Sequence, residues 1–176
     1  MKRVLILGCS GAGKSTLALT LGERWRLPVI HLDKHYWRAG WVEPPREEWR
    51  AQVAELTARP EWIMDGNYGG TLPERLAVAD MAIVFDFPTW RCLLRAFRRA
   101  VVGYGRTRPD LADGCPEHID FKFLLYILNF RRKNRPSLMQ ALDSFAGPKL
   151  TFTGPAEVAR WLSTPAPQLP HGAPPS

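Results

Sequence analysis

Gly8-Cys9-Ser10-Gly11-Ala12-Gly13-Lys14-Ser15 is the stretch of this chain whose residue types and spacing are best suited to chemistry. It satisfies G-x-x-x-x-G-K-[ST] at every defined position. The glycines permit tight turns and leave bare backbone against which anionic oxygens can lie. Consecutive N–H groups at the positive end of a following helix make a nest for phosphate. Lys14 is then expected to reach the β- and γ-phosphates of a nucleoside triphosphate, and Ser15 to offer its hydroxyl to Mg²⁺. Gly8, Ser10, Gly11, Ala12, Gly13, Lys14, Ser15 and Thr16 form the expected nucleotide-binding set. Four defined positions coincide by chance in a chain of 176 residues with a probability on the order of a percent.

Carboxylates supply the next candidates. Asp65 ends the apolar run Trp62-Ile63-Met64, where an acid beside the phosphate loop orients Mg²⁺ through water; the alternative is a carboxylate capping the turn at Gly66-Asn67. Asp33 ends Pro28-Val29-Ile30-His31-Leu32. There it either orients or deprotonates an acceptor hydroxyl, or caps the turn from His31 to Trp37. Asp86 also follows an apolar run, but Phe87-Pro88 comes next and a structural role is expected.

The net charge of +7 comes from one segment: eleven basic residues stand between positions 91 and 135 against four acidic ones, and the remainder balances. Three readings fit: a solvated charged face, a nucleic-acid surface, or a lid whose arginines stabilise charge on a transferring phosphoryl group. Arginine outnumbers lysine nine to two there, which favours bidentate phosphate contacts and hence the lid. Tyr36, Trp37, Trp41, Trp49 and Tyr68 flank the expected acceptor side; such aromatics stack a base or sugar, or pack the core.

Elements that could hold these residues follow from periodicity. Short apolar, β-branched runs at 2–7, 28–32, 61–64, 81–87 and 150–153 read as strands. Segments at 14–25, 46–58, 72–77, 89–102, 119–130, 137–145 and 155–162 read as helices, with Thr89 as an N-cap and Pro155 in a first turn. Alternating strands and helices imply a parallel α/β sheet with right-handed crossovers. Ligands bind such sheets at the carboxyl ends of the strands, where the phosphate loop, Asp33 and Asp65 all fall.

The length suits one domain, and 45% apolar residues exclude a disordered or fibrous chain. The longest apolar stretch is far short of the ~20 residues of a spanning helix, and the start has too short an apolar run for a signal peptide. A cytoplasmic protein with no membrane partner is expected. Cys9, Cys92 and Cys115 lack zinc or redox spacing and read as free thiols. Alkylation of Cys9 is expected to block phosphate binding. Residues 164–176 are rich in proline and expected to be disordered.

The chain resembles adenylate-kinase-related P-loop proteins known as "DNA topology modulation protein". The resemblance spans about residues 1–162. Besides the phosphate loop it rests on His-Leu-Asp-Lys-His-Tyr-Trp at 31–37, Met-Asp-Gly-Asn-Tyr at 64–68, Arg-Thr-Arg-Pro-Asp at 106–110, Gly-Cys-Pro-Glu at 114–117 and Asn-Phe-Arg-Arg at 129–132. It implies a P-loop three-layer α/β sandwich with a five-stranded parallel sheet in order 2-3-1-4-5. It also implies ATP as the nucleotide, a lid at about 103–136 within a single domain of residues 1–163, and contact of Gly154 and Pro155 with the adenine. Adenylate kinases follow the Asp-Gly of strand three with Phe-Pro-Arg, whose arginine holds the acceptor phosphate. Here Asn67-Tyr68-Gly69-Gly70-Thr71 follows, with no arginine before Arg75. That departure favours a nucleoside or another small alcohol over a nucleoside monophosphate.

The expected activity is ATP:Mg²⁺-dependent phosphoryl transfer to a small-molecule acceptor. Lys14, Asp33, Arg106, Arg108, Arg131 and Arg132 are the catalytic candidates, and Ser15 and Asp65 the metal ligands. The alternatives are a nucleotide-gated nucleic-acid-binding protein affecting DNA topology and a stand-alone ATPase switch.

Overall fold

The computed structural model describes residues 2–164, so the tail expected at 164–176 lies almost wholly outside the described residues. Five parallel strands form one sheet in the order β2-β3-β1-β4-β5. In chain order these are β1 (Arg3–Gly8), β2 (Val29–His31), β3 (Trp62–Asp65), β4 (Met81–Phe85) and β5 (Lys149–Phe152). The three central strands are buried along almost their whole length, which is why they read as unbroken apolar runs rather than as alternating ones.

Helices α1 (Lys14–Trp25), α2 (Leu32–Tyr36), α3 (Arg46–Ala58), α4 (Leu72–Val78), α5 (Thr89–Val102), α6 (Phe121–Lys133), α7 (Arg135–Asp143) and α8 (Pro155–Ser163) complete a three-layer α/β sandwich. Helix α1 turns Leu17, Ala18, Leu21 and Gly22 inward. A Cβ on Gly22 would stand 2.4 Å from a Val29 methyl, so only glycine lets α1 lie this close to β2.

Several expected boundaries shift. The second strand stops at His31, because Leu32 to Tyr36 coil into a short helix; Asp33 therefore sits in the first turn of α2 rather than at a strand end. Thr89 is the first helical residue of α5, Pro88 takes the N-cap position, and no side chain caps it. The proline supplies a fixed extended entry, which displaces the cap. Helix α6 extends past Phe130, so Arg131 and Arg132 lie in its last turn, where basic side chains oppose the negative end of the helix dipole. Asp120 caps its start by accepting from the Lys122 amide at 2.8 Å.

The segment from Gly103 to His118 is fastened to the loop after α2. Gly40 N–H donates to the Gly114 carbonyl at 2.8 Å, Trp41 Nε1 to the Pro116 carbonyl at 3.1 Å, and the Cys115 thiol to the Arg38 carbonyl at 3.1 Å. Within the segment, buried Glu117 faces Arg99 Nε at 3.0 Å and Arg108 Nε at 2.7 Å.

Candidate functional site

Between β1 and α1 the chain wraps into an open cradle. Gly8, Gly11 and Gly13 all take positive φ, at 131°, 84° and 102°. The close approaches explain two of them. A Cβ on Gly8 would lie 2.3 Å from the Phe85 carbonyl oxygen of β4, and one on Gly11 would lie 2.3 Å from that of Cys92 in α5. Glycine is thus required for conformation and for space. Beside Gly13 the neighbour is the Arg95 guanidinium, 3.2 Å from where a Cβ would stand. Arg95 is exposed on its other side, which aims a cation at the cradle from α5.

The start of the cradle is pinned by a residue from another strand's end. Asn67 accepts from Gly8 N–H at 2.9 Å and donates to the Gly8 carbonyl at 2.8 Å. One planar amide therefore replaces both backbone bonds that Gly8 cannot make within the sheet. Lys14 lies over the loop, its Nζ donating to the Cys9 carbonyl at 3.1 Å.

Ser15 Oγ donates to Asp65 Oδ2 at 2.7 Å. The other oxygen, Oδ1, meets His31 Nδ1 at 2.6 Å. The parallel register that pairs His31 with Asp65 sets this contact. Burial works against a charged His31 ring, but the hydrogen bond and charge of Asp65, with further help from Asp110 and Asp33, raise its pKa above the ordinary value. Asp65 is thus no turn cap: it ties the phosphate loop to β2 through two hydrogen bonds. A hydroxyl and a carboxylate side by side, both hard oxygen donors, suit Mg²⁺, which takes one or two protein ligands and completes its shell with water and phosphate. Among the described residues no group of three or more His, Cys, Asp or Glu could hold a metal. The pair Ser15 and Asp65 fits the sparser protein contribution that Mg²⁺ requires.

Asp33 accepts from the Tyr68 hydroxyl at 2.6 Å. Burial raises its pKa, while that hydrogen bond and the charges of Lys14 and Arg108 pull the other way. Tyr68 holds φ at 35°, a strained value for an aromatic residue. Buried Arg75 over-determines it: its guanidinium donates to the carbonyls of Gly66 at 2.9 Å, Tyr68 at 3.0 Å and Thr71 at 3.3 Å, and also to that of Asn67. Burial lowers the Arg75 pKa to about 10. Arg75 is committed to backbone and is not available to an acceptor phosphate. Tyr36, Trp49 and Tyr68 pack on one another with ring centroids 4.7 to 5.0 Å apart; the pairing of Trp37 with Trp41 continues the cluster towards His118.

The four expected lid arginines are not brought together. Arg106 is exposed, with its backbone in the turn from Gly103 to Glu117. Arg108 is held by Asp110 at 3.3 Å and by Glu117. Arg131 stands 3.8 Å from Asp86, and Arg132 is exposed. Asp86 takes the structural role expected of it, gripping Arg135 through both oxygens at 2.8 and 2.7 Å. Gly154 and Pro155 lie just past β5, and open space surrounds the Cβ position of Gly154.

Sequence reasoning missed His31, Asn67, Arg75, Arg95, Arg99 and Glu117 as partners of the site, and placed Tyr68 on the acceptor side without its bond to Asp33. His31 had a readable signal, since it ends the second strand as Asp65 ends the third. The Cys9 expectation also changes. Cys9 is buried beside Cys92, whose hydrogen bond, together with desolvation, raises the Cys9 pKa. A buried, protonated thiol is a poor nucleophile, so the loop resists alkylation.

The fold is shared with solved structures of shikimate kinase and gluconokinase. Shikimate kinase from Acinetobacter baumannii in complex with shikimate superposes with TM-score 0.57 at 16% identity, over 92% of each chain. Shikimate kinase from Bacteroides thetaiotaomicron gives 0.54 at 16%, over 86% of this chain and 85% of that one. A gluconokinase from Sinorhizobium meliloti 1021 gives 0.50 at 16%, over 90% and 87%. No family model matches the sequence. A Bacillus subtilis (strain 168) protein described as uncharacterized protein YqaC is 32% identical over 108 residues, which are 59% of this chain and 60% of that protein. The chain thus matches about 60% of the length of that relative.

Proposed function

We propose that this protein is an ATP- and Mg²⁺-dependent kinase that transfers the γ-phosphoryl group to a hydroxyl of a small molecule, a member of the adenylate-kinase-related "topology modulation protein" group that its motifs resemble. The observation that carries the reading is the convergence of the Gly8–Ser15 cradle and the Ser15–Asp65 pair at the carboxyl ends of β1 and β3, with Asp33 in the first turn of α2 just past β2. Shikimate kinase and gluconokinase, which share the fold, are named for small polyhydroxylated acids.

In this reading the loop amides and Lys14 hold the β- and γ-phosphates. Ser15 and Asp65 would hold Mg²⁺, which supplies charge neutralisation at the phosphates. His31 fixes the Asp65 carboxylate by occupying its second oxygen. Asp33, its pKa raised by burial, is suited to take the proton of an acceptor hydroxyl as that oxygen attacks. Tyr68 orients Asp33, and Arg75 keeps Tyr68 where it must be. Arg95 faces the cradle beside Gly13 and so joins Lys14 as a cation for developing phosphoryl charge, while Arg131 is turned to Asp86. The commitment of Arg75 to backbone supports an alcohol acceptor over a nucleoside monophosphate.

ATP turnover with Mg²⁺ against panels of nucleosides, sugar acids and nucleoside monophosphates tests the proposal. Stimulation by one acceptor class, lost by at least a thousandfold in Lys14→Ala, is the expected result; an energetic loss of about 4 kcal/mol corresponds to that factor. Hydrolysis that ignores every acceptor would refute the kinase reading and favour an ATPase switch.

A further inference from the structure

Helix α5 carries two faces of opposite character besides the one packed on the sheet. Cys92, Ala96 and Ala100 are its buried residues, all small, while the large apolar side chains point out. Trp90, Leu94, Phe97 and Val101 recur at helical spacing and are 64, 60, 44 and 49% exposed. Helix α6 repeats the pattern with Phe121, Leu125 and Leu128 at 75, 56 and 47%. The two helices pack side by side, Phe97 of the α5 row sharing a cleft with Phe123 and Leu124 of α6, so both rows lie on the outer face of one helix pair. Side chains of this size expose on the order of 100 Å² each at such fractions. The combined face therefore exceeds the roughly 300–600 Å² of the largest apolar patch on an ordinary monomer.

Charge decides what covers it. At 3.6 residues per turn, Arg91 and Arg98 border the α5 row on the side away from α6. Lys122 borders the α6 row on the side away from α5. No acidic residue occurs in either helix. A second copy of the chain, related by a two-fold axis, would bring basic rim against basic rim. Nucleic acid would match the rims but leave the apolar centre without a counterpart. An anionic bilayer matches both: headgroups take the arginines and the acyl boundary takes Trp90, Leu94 and Phe121.

We propose that the outer face of α5 and α6 docks on an anionic phospholipid surface, with the phosphate loop on the opposite side of α5. Among the described residues no helix is long and apolar enough to cross a membrane, so the contact lies along the surface and does not span it. The proposal departs from the expectation of no membrane partner and is independent of the phosphoryl acceptor.

The test is co-sedimentation of the full chain with vesicles of phosphatidylcholine alone or mixed with phosphatidylglycerol, with the oligomeric state followed by sedimentation velocity. Binding to the mixed vesicles, at least tenfold weaker to phosphatidylcholine, is expected. L94E with L125E should lose it by tenfold or more while ATP turnover persists. R91Q with R98Q, which leaves the apolar rows intact, should abolish the preference for the anionic lipid. No binding to anionic vesicles by the wild type would overturn the proposal. So would binding indifferent to both double variants. A dimer that L94E dissociates would assign the face to a second copy and overturn it equally.

Discussion

Asn67 is the residue on which the phosphate cradle most directly depends. Its amide closes both hydrogen bonds of Gly8, an acceptor for the N–H and a donor for the carbonyl. Asn67→Ala removes both and leaves a part-buried amide without a partner, at a cost of about 2 kcal/mol. The expected outcome in titration calorimetry is nucleotide binding weakened at least tenfold, with Asn67→Asp intermediate because it restores only the acceptor. Equal affinity in all three proteins would show the pin to be dispensable. The phosphate loop itself was plain from residue types, since its glycines and Lys14 have no ordinary structural reason to stand together. His31, Tyr68 and Arg75 were not, because their roles come from register and burial. Nothing in the spacing of Arg75 says that its guanidinium turns inward to four carbonyls.

At the scale of elements, the strands agree with expectation because each central strand is a short, almost wholly buried run that a polar helix face cannot imitate, and their order agrees with what the family resemblance implied. What the residues alone left unresolved was where such a run ends. His31-Leu32-Asp33 continues the apolar pattern of β2, yet tertiary packing bends it into α2, and that turn sets Asp33 against Tyr68. The start of α7 shows how element ends are fastened by side chains. Arg135 at its first residue bridges back to Asp86 at the end of β4, and this contact lowers the Asp86 pKa despite its partial burial. A depressed carboxylate contributes stability above its unfolded pKa of about 3.9 and loses it as pH falls through the folded value. Arg135→Ala should therefore cost about 1 kcal/mol in urea unfolding at neutral pH, the cation being partly solvated. The difference from wild type should shrink below pH ~4. A gap unchanged from neutral to acid would remove the ion pair from the account.

Across the whole molecule, the fastening of the loop after α2 to residues 103–118 links the proposed acceptor side to the arginine-bearing segment. Trp41 is the side chain best placed to report on it, since Trp41→Phe keeps the ring against Trp37 and deletes only the Nε1 donor to Pro116. The loss of about 1 kcal/mol should raise the KM for the acceptor about fivefold and leave that for ATP unchanged. Amide exchange at Gly40 and Gly105 should quicken in parallel. Exchange at wild-type rates with an unchanged KM would mean that the two segments move independently. The basic segment and the Arg106 and Arg108 motif were legible in the sequence, but the latch was not, because its three acceptors are backbone carbonyls and its donors one backbone N–H, one indole and one thiol.

The place of β1 in the middle of the sheet also governs when the Gly8–Ser15 cradle can first take shape during synthesis. Arg3 pairs with Trp62, Val4 with Met81, and the walls that Gly8 and Gly11 press against are Phe85 and Cys92. Strand β1 is thus enclosed on both sides only after β3 and β4 have been made. A nascent chain carries its complete phosphate motif for most of the time that its first half is being translated, with nothing to hold the motif in shape. The pairings that complete the cradle are of long sequence separation, the kind that slows folding.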